Sequence, residues 1–225
     1  MIRIGHRGAM GHAPENTLAS IRLAWVLGAD MVEVDVRTCR SGEPVLIHDE
    51  TIDRTTDGRG AVRDLTFEEI RRFDAGDGET VPSLAEALEL VAPLRRINIE
   101  LKDAGAATAA VTILADRPAA GTGAPSLLVS SFDLGILRDF HRLRPDLPVG
   151  ALVEGDLEPV LRLAEEIPLF SVHMRPETLT RPLLERLSGR GLAVVVFTVN
   201  DPRELWRLKA WGVAGIISDY PDRLI

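Results

Sequence analysis

Short apolar runs alternate along the chain with stretches whose apolar residues recur every three or four positions. That alternation is the signature of strands joined by crossover helices, and hence of a parallel sheet. Runs over residues 2–5, 31–36, 97–101, 127–130, 149–153, 169–172, 193–198 and 215–217 predict eight strands. Helical spacing fills the gaps, as in Leu18, Ile21, Leu23 and Trp25 before Gly28, and in Leu84, Leu88 and Val91 before Pro93. Ser83 and Glu86 have the spacing of a capping box at the start of the second of these. Residues 52–82 break the rhythm. They are rich in Gly, Asp, Arg and Thr and hold one short helix candidate, 66–73, with Thr66 and Glu69 as its capping box, so they predict an insertion. After the eighth strand only 220–225 remain, too few for an eighth full helix. Eight strands with crossovers suit an open doubly wound sheet or a closed barrel, and periodicity does not choose between them.

The polar residues inside these strands carry more information. In Met31-Val32-Glu33-Val34-Asp35-Val36 the two-residue period puts Glu33 and Asp35 on one face and the valines on the other. Asn98-Ile99-Glu100-Leu101-Lys102 repeats the arrangement, with Asn98, Glu100 and Lys102 on one side. Parallel strands are covered on both faces, so acidic groups there are costly unless paired or coordinated. Oxygen ligands from Glu33, Asp35 and Glu100 suit one hard divalent cation, Mg²⁺ or Ca²⁺. Lys102, one of two lysines in the chain, stands at a strand end where a positive charge can hold phosphate.

Two histidines follow short extended runs directly. His6 precedes Arg7 and Gly8 after the first strand, and His48-Asp49 follows Pro44-Val45-Leu46-Ile47. Imidazoles can divide the roles of acid and base near neutral pH, and the Arg7 guanidinium offers a planar fork to phosphate oxygens. His12 lies in a loop and His173 at the end of the sixth strand; both are candidate rim residues, with a structural role favoured. His141 falls on a helix and receives no functional assignment.

Composition narrows the classes. With 225 residues, 45% of them hydrophobic, the chain suits a single compact domain over 1–225. A net charge of −8 repels phosphate backbones, and no basic stretch offsets it, so a nucleic-acid partner is not expected. A lone Cys39 forms no internal disulfide, and neither a secretory signal nor a ~20-residue apolar span is present, so the expectation is a cytoplasmic protein without stable membrane insertion.

Taken together, the blocks His6-Arg7-Gly8, Pro14-Glu15-Asn16-Thr17, Glu33-Val34-Asp35-Val36, Val45-Leu46-Ile47-His48-Asp49, Asp53-Arg54-Thr55-Thr56, Asn98-Ile99-Glu100-Leu101-Lys102, Ser130-Ser131-Phe132, Phe197-Thr198-Val199-Asn200 and Gly215-Ile216-Ile217-Ser218-Asp219-Tyr220-Pro221 resemble, in order, the glycerophosphodiester phosphodiesterase family. The resemblance runs from one end of the chain to the other. It implies a (β/α)₈ TIM barrel with an insertion after the second strand, where 52–82 lie. It implies His6 and His48 as the acid–base pair, Arg7 and Lys102 on the phosphate, and Glu33, Asp35 and Glu100 on the metal. The implied reaction is metal-dependent hydrolysis of a small-molecule glycerophosphodiester to sn-glycerol 3-phosphate and an alcohol, through attack by the neighbouring glycerol hydroxyl and opening of a cyclic phosphate by water. A lysophospholipase D, or a phosphodiesterase acting on another diester, is the alternative on the same residues. A catalytically idle barrel would have lost a histidine or a ligand, and none is lost. Thr38-Cys39-Arg40-Ser41-Gly42 departs from the family's usual Thr-Lys-Asp-Gly turn. Phe197 stands where Trp is common, which bears on the pocket for the glycerol or the leaving group, and Ile21 stands where the first helix often has Phe.

Overall fold

The computed structural model describes residues 1–91, 95–115 and 125–225. Pro93, expected to follow the helix containing Leu84, lies outside the described residues. In chain order the elements are β1 (Ile2–Gly5), α1 (Leu18–Val26), β2 (Met31–Thr38), β3 (Pro44–Leu46), α2 (Phe67–Ile70), α3 (Leu84–Glu89), β4 (Arg96–Leu101), α4 (Ala104–Ile113), β5 (Leu127–Ser131), α5 (Leu134–Leu143), β6 (Val149–Val153), α6 (Glu158–Glu166), β7 (Leu169–Met174), α7 (Arg181–Gly189), β8 (Ala193–Val196), α8 (Pro202–Trp211) and β9 (Gly215–Ser218).

The strands follow the order β1-β9-β8-β7-β6-β5-β4-β2, and β1 also pairs with β2, so eight parallel strands close into a barrel. All eight predicted strands are present. β3 is an addition that pairs antiparallel with β2 through Val36–Leu46 and Thr38–Pro44. β8 stops at Val196, two residues before the predicted end. Phe197 N still donates to Met174 O, but Val199 N turns to Ile217 O, and the chain leaves the ladder at the barrel mouth. Where a full helix would follow the last barrel strand, β9, there is one 3₁₀ turn, Pro221–Leu224.

Local chemistry accounts for the helix starts. Thr17, Asp103, Asp133, Thr180 and Asp201 each accept a hydrogen bond from a backbone N–H of the first turn, and both predicted capping boxes form. The candidate at 66–73 shrinks to the single turn α2, because Phe73 N bonds to Ile70 O three residues back and the chain then turns away. Outward strand residues such as Val32, Val34, Val36, Ile97 and Ile99 join Ile21, Leu84 and Leu137 of the helices in the main apolar layer. A smaller cluster, Ile4, Met31, Val195 and Ile217, fills one side of the barrel interior. The insertion has its own core: Ile52, Val62, Ile70 and Val81 pack on Val45 and Ile47, the residues leading to His48. Among the described residues, no helix is long and apolar enough to cross a membrane.

Candidate active site

The alternation along β2 and β4 delivers the acids as the strand period requires. Glu33, Asp35 and Glu100 all point into the barrel, buried at 1, 1 and 6% exposure. The register pairs Glu33 with Asn98 and Asp35 with Glu100, so the three sit side by side on the inner face of two adjacent strands. One carboxylate oxygen from each lies within 4.8 Å of the others, a spacing that could hold a metal ion.

The loop after β1 folds back over this trio. Arg7 takes φ 48° and Gly8 φ 84°, and a Cβ on Gly8 would sit 2.4 Å from Ser20 Oγ and 2.5 Å from the Ser20 carbonyl carbon, so only glycine fits there. The turn aims Arg7 N at Glu33 Oε2 (2.9 Å) and brings the guanidinium onto Glu15 Oε1 (2.6 Å). Arg7 Nε lies 3.0 Å from Asp35 Oδ2, at ion-pair distance but without the alignment of a hydrogen bond. Asn16, also left-handed at φ 57°, clamps Asp35: its Nδ2 donates to Oδ2 (2.9 Å) and its Oδ1 accepts from Asp35 N (3.1 Å). Lys102 Nζ reaches Asp35 Oδ1 at 2.9 Å and also bonds Glu100.

These neighbours divide the three acids electrostatically. Burial pushes the Glu33 carboxyl well above its ordinary range, and the charges of Asp35 and Glu100 add to the effect. Burial, then Asp35, raises Glu100 to about 7. Burial acts on Asp35 too, but Lys102 and Arg7 outweigh it and hold that carboxyl down at about 2. Two cations, Arg7 and Lys102, therefore face three clustered acids. Glu33 Oε1 is buried with no hydrogen-bond partner among the described residues. An oxygen-only donor set, one orphaned buried carboxylate oxygen and a shortage of local positive charge all fit a hard divalent cation.

The two histidines reach the same mouth, each oriented by a carboxylate. His6 Nδ1 lies 2.7 Å from Asp219 Oδ1, and its Nε2 lies 4.0 Å from Glu33 Oε2. Asn200 Nδ2 holds the other Asp219 oxygen at 2.6 Å, and Asn200 Oδ1 accepts from Asp219 N. His48 Nδ1 lies 2.7 Å from Asp49 Oδ1. Arg54 fixes Asp49 and also binds Glu15, the residue that holds Arg7. Burial lowers the His48 imidazole's proton affinity, opposed in part by Asp35 and Asp49. Phe197 borders the mouth, its ring edge-to-face with Phe132 at 5.9 Å, and Lys102 Nζ lies 5.8 Å from the centre of Phe132.

The eight residues given a catalytic, phosphate, pocket or metal role in the sequence, His6, Arg7, Glu33, Asp35, His48, Glu100, Lys102 and Phe197, thus gather at one end of the barrel. Glu15, Asn16, Arg54, Asp219 and Asn200, together with Phe132, join them without having been given a role. Their blocks were legible as motifs, but which atom each would orient depends on loops meeting in space. His173 does not reach the rim. It lies fully buried in the barrel, 2.9 Å from Ser171 Oγ. His12 pairs at the surface with Asp222, and His141 sits on α5.

A (β/α)₈ barrel with carboxylate-oriented histidines and a buried acidic trio that could hold a metal ion at the C-terminal mouth defines the class: a barrel phosphodiesterase. The glycerophosphoryl diester phosphodiesterase family model matches residues 6–223, and the chain belongs to that family. It is 34% identical to a glycerophosphodiester phosphodiesterase of Caldanaerobacter subterraneus subsp. tengcongensis, over 99% of this chain and 95% of the relative. It is 30% identical to one of Bacillus subtilis, over 99% and 84%. An Oleispira antarctica phosphodiesterase, solved in complex with the product sn-glycerol-3-phosphate, superposes with a TM-score of 0.90 at 32% identity, covering 98% of this chain and 94% of that one.

Proposed function

We propose that this chain, acting as one barrel domain over 1–225 with its insertion at 52–82, hydrolyses glycerophosphodiesters to sn-glycerol 3-phosphate and an alcohol. The observation that carries the reading is the convergence of His6 and His48, each backed by an aspartate, on one mouth beside the Glu33, Asp35 and Glu100 trio. The product held by the Oleispira relative supports the glycerol phosphate half of the substrate.

Each imidazole is anchored through Nδ1, which leaves Nε2 as the atom that exchanges a proton with the substrate. One histidine takes the proton of the glycerol hydroxyl next to the phosphate, and that oxygen attacks phosphorus. The other gives a proton to the departing alcohol. Water then opens the cyclic phosphate with the two roles exchanged. Arg7 and Lys102 supply positive charge to the phosphate oxygens. Glu33, Asp35 and Glu100 would hold Mg²⁺ or Ca²⁺, which supplies Lewis acidity to the hydroxyl and to a phosphate oxygen. Lys102 sits on two of these carboxylates, and its flexible stem lets its charge turn to the substrate's phosphate.

A lysophospholipid substrate needs an apolar grip. Among the described residues of the insertion no large apolar side chain is exposed, and at the mouth only Phe132, 42% exposed, offers one. The test is an assay of purified protein on glycerophosphocholine, glycerophosphoethanolamine, glycerophosphoglycerol and a lysophospholipid, with and without chelator. Release of sn-glycerol 3-phosphate, abolished by EDTA and restored by Mg²⁺ or Ca²⁺, is expected while circular dichroism stays constant, because the apolar layers are built independently of the trio. Full activity after dialysis against EDTA would remove the metal assignment, and turnover of the lysophospholipid alone would replace the substrate.

A further inference from the structure

Beside the acidic trio, the insertion and the barrel mouth enclose a cleft of about 660 Å³, ample for a polar head group. Its walls come from the end of β2 and the turn that follows, from the two facing segments of the insertion that pair at Thr51 and Ala61, and from the start of the β4–α4 connection. Lys102 belongs to both this cleft and the trio, and Arg37 reaches from the cleft wall to donate through Nε to the His48 carbonyl at 2.8 Å. The cleft therefore opens directly off the place where phosphate would be held.

Its charge runs against that of the molecule. The chain carries −8 overall, yet Arg37, Arg40, Arg63 and Lys102 line the cleft against only Glu50 and Asp103. Asp103 is fully engaged, accepting from Thr38 N, Thr38 Oγ1 and Ala106 N. Arg40 is paired with Glu69 at 2.9 Å. Arg37, whose Nε is on the His48 carbonyl, meets no carboxylate, and Arg63 has neither an ion pair nor a hydrogen bond among the described residues, so Glu50 is the acid that faces two guanidiniums with no carboxylate partner there. Planar guanidiniums without a carboxylate partner in a concave site are suited to carboxylate or phosphate.

We propose that this cleft receives the leaving alcohol of the diester and selects head groups that carry negative charge, a carboxylate or a further phosphate, over cationic ones. The proposal rests on the phosphodiesterase reading above and adds the chemical class of the departing half. Exposed charges in water interact modestly, so each of these two arginines contributes a preference of up to about fivefold, weakened by salt.

The experiment compares kcat/KM for glycerophosphoinositol 4-phosphate, glycerophosphoglycerol and glycerophosphocholine in low salt, for the wild type, Arg63→Glu and Arg63→Lys. The expected wild-type order is anionic above neutral above cationic, with the anionic-to-cationic ratio about tenfold and shrinking as NaCl is added. Arg63→Glu should lower that ratio by about fivefold or more, and Arg63→Lys, which keeps the charge, should preserve most of it. Equal kcat/KM across the three substrates, a preference for the cation, or a ratio untouched by Arg63→Glu would overturn the charge selection while leaving the phosphodiesterase reading in place. Hydrolysis of none of them, glycerophosphoglycerol included, would overturn both.

Discussion

His173 gives the sharpest quantitative expectation, because its surroundings are simple. It is fully buried in the barrel interior, its Nε2 shares a hydrogen bond with Ser171 Oγ, and its Nδ1 has no partner among the described residues. Gly150 keeps that space open, since a Cβ there would lie 2.5 Å from Ser171 Oγ and 3.0 Å from His173 Nε2. No carboxylate is bonded to the ring, so burial alone pushes its pKa down from 6.5 to about 4. The folded protein thus keeps this ring neutral at a pH where the unfolded chain has already protonated it. Unfolding takes up a proton, and stability present above the unfolded pKa near 6.5 is lost as pH falls through 6.5 towards 4. With those two values, the linked loss between pH 7.5 and pH 5 is about 2 kcal/mol. His173→Leu removes the titration. It leaves the Ser171 hydroxyl without its partner, a cost on the order of 1–3 kcal/mol that does not depend on pH. Urea unfolding followed by tryptophan fluorescence and circular dichroism, at both pH values and with a constant m-value, would measure the difference. The wild type should lose about 2 kcal/mol more than His173→Leu over this interval. His173→Asn serves as a second neutral replacement should the leucine fail to pack. Equal losses in the wild type and either variant would refute the burial argument.

Other expectations concern the site. His6→Ala and His48→Ala should each lower kcat by about 10² to 10⁴, with the double mutant little worse than either single one, read from steady-state kinetics; a variant keeping more than about a tenth of wild-type kcat would return its histidine to a structural role. Asp219→Asn leaves the shape of the His6 anchor intact but removes its charge, so kcat should fall about tenfold or more with KM changed less; an undiminished kcat would make Asp219 merely structural. Lys102→Met should raise KM for every glycerophosphodiester by removing charge from the phosphate, and an unchanged KM in all of them would exclude Lys102 from the phosphate.

The sequence by itself determined the elements and the faces. The two-residue period of β2 and β4 already put Glu33, Asp35 and Glu100 opposite the valines and isoleucines, because a strand has no other way to arrange alternating side chains. Both capping boxes formed where Ser83-Glu86 and Thr66-Glu69 announced them, since a cap is satisfied within four residues. Periodicity was silent on closure, and the choice of a barrel came from the ordered family motifs; in the structure that choice is the β1–β2 pairing, a contact between strands whose own patterns look the same in an open sheet. Only the tertiary structure decided the partners of the catalytic candidates. Asp219 reaches His6 across 213 positions of sequence, and Asn16 clamps Asp35 from the loop whose start, the turn at Gly8, packs against Ser20. For His173 the sequence favours a structural role over a place at the rim, and the structure bears that out: β7 continues to Met174 and the ring lies buried inside the barrel. The arginines of the cleft are dispersed between positions 37 and 63, and their gathering against a negative chain required the insertion to fold on its own small core beside the mouth. Local pattern is enough for what neighbours in sequence decide. Burial, orphaned atoms and electric field depend on residues far apart in the chain, and those exist only once the barrel has closed.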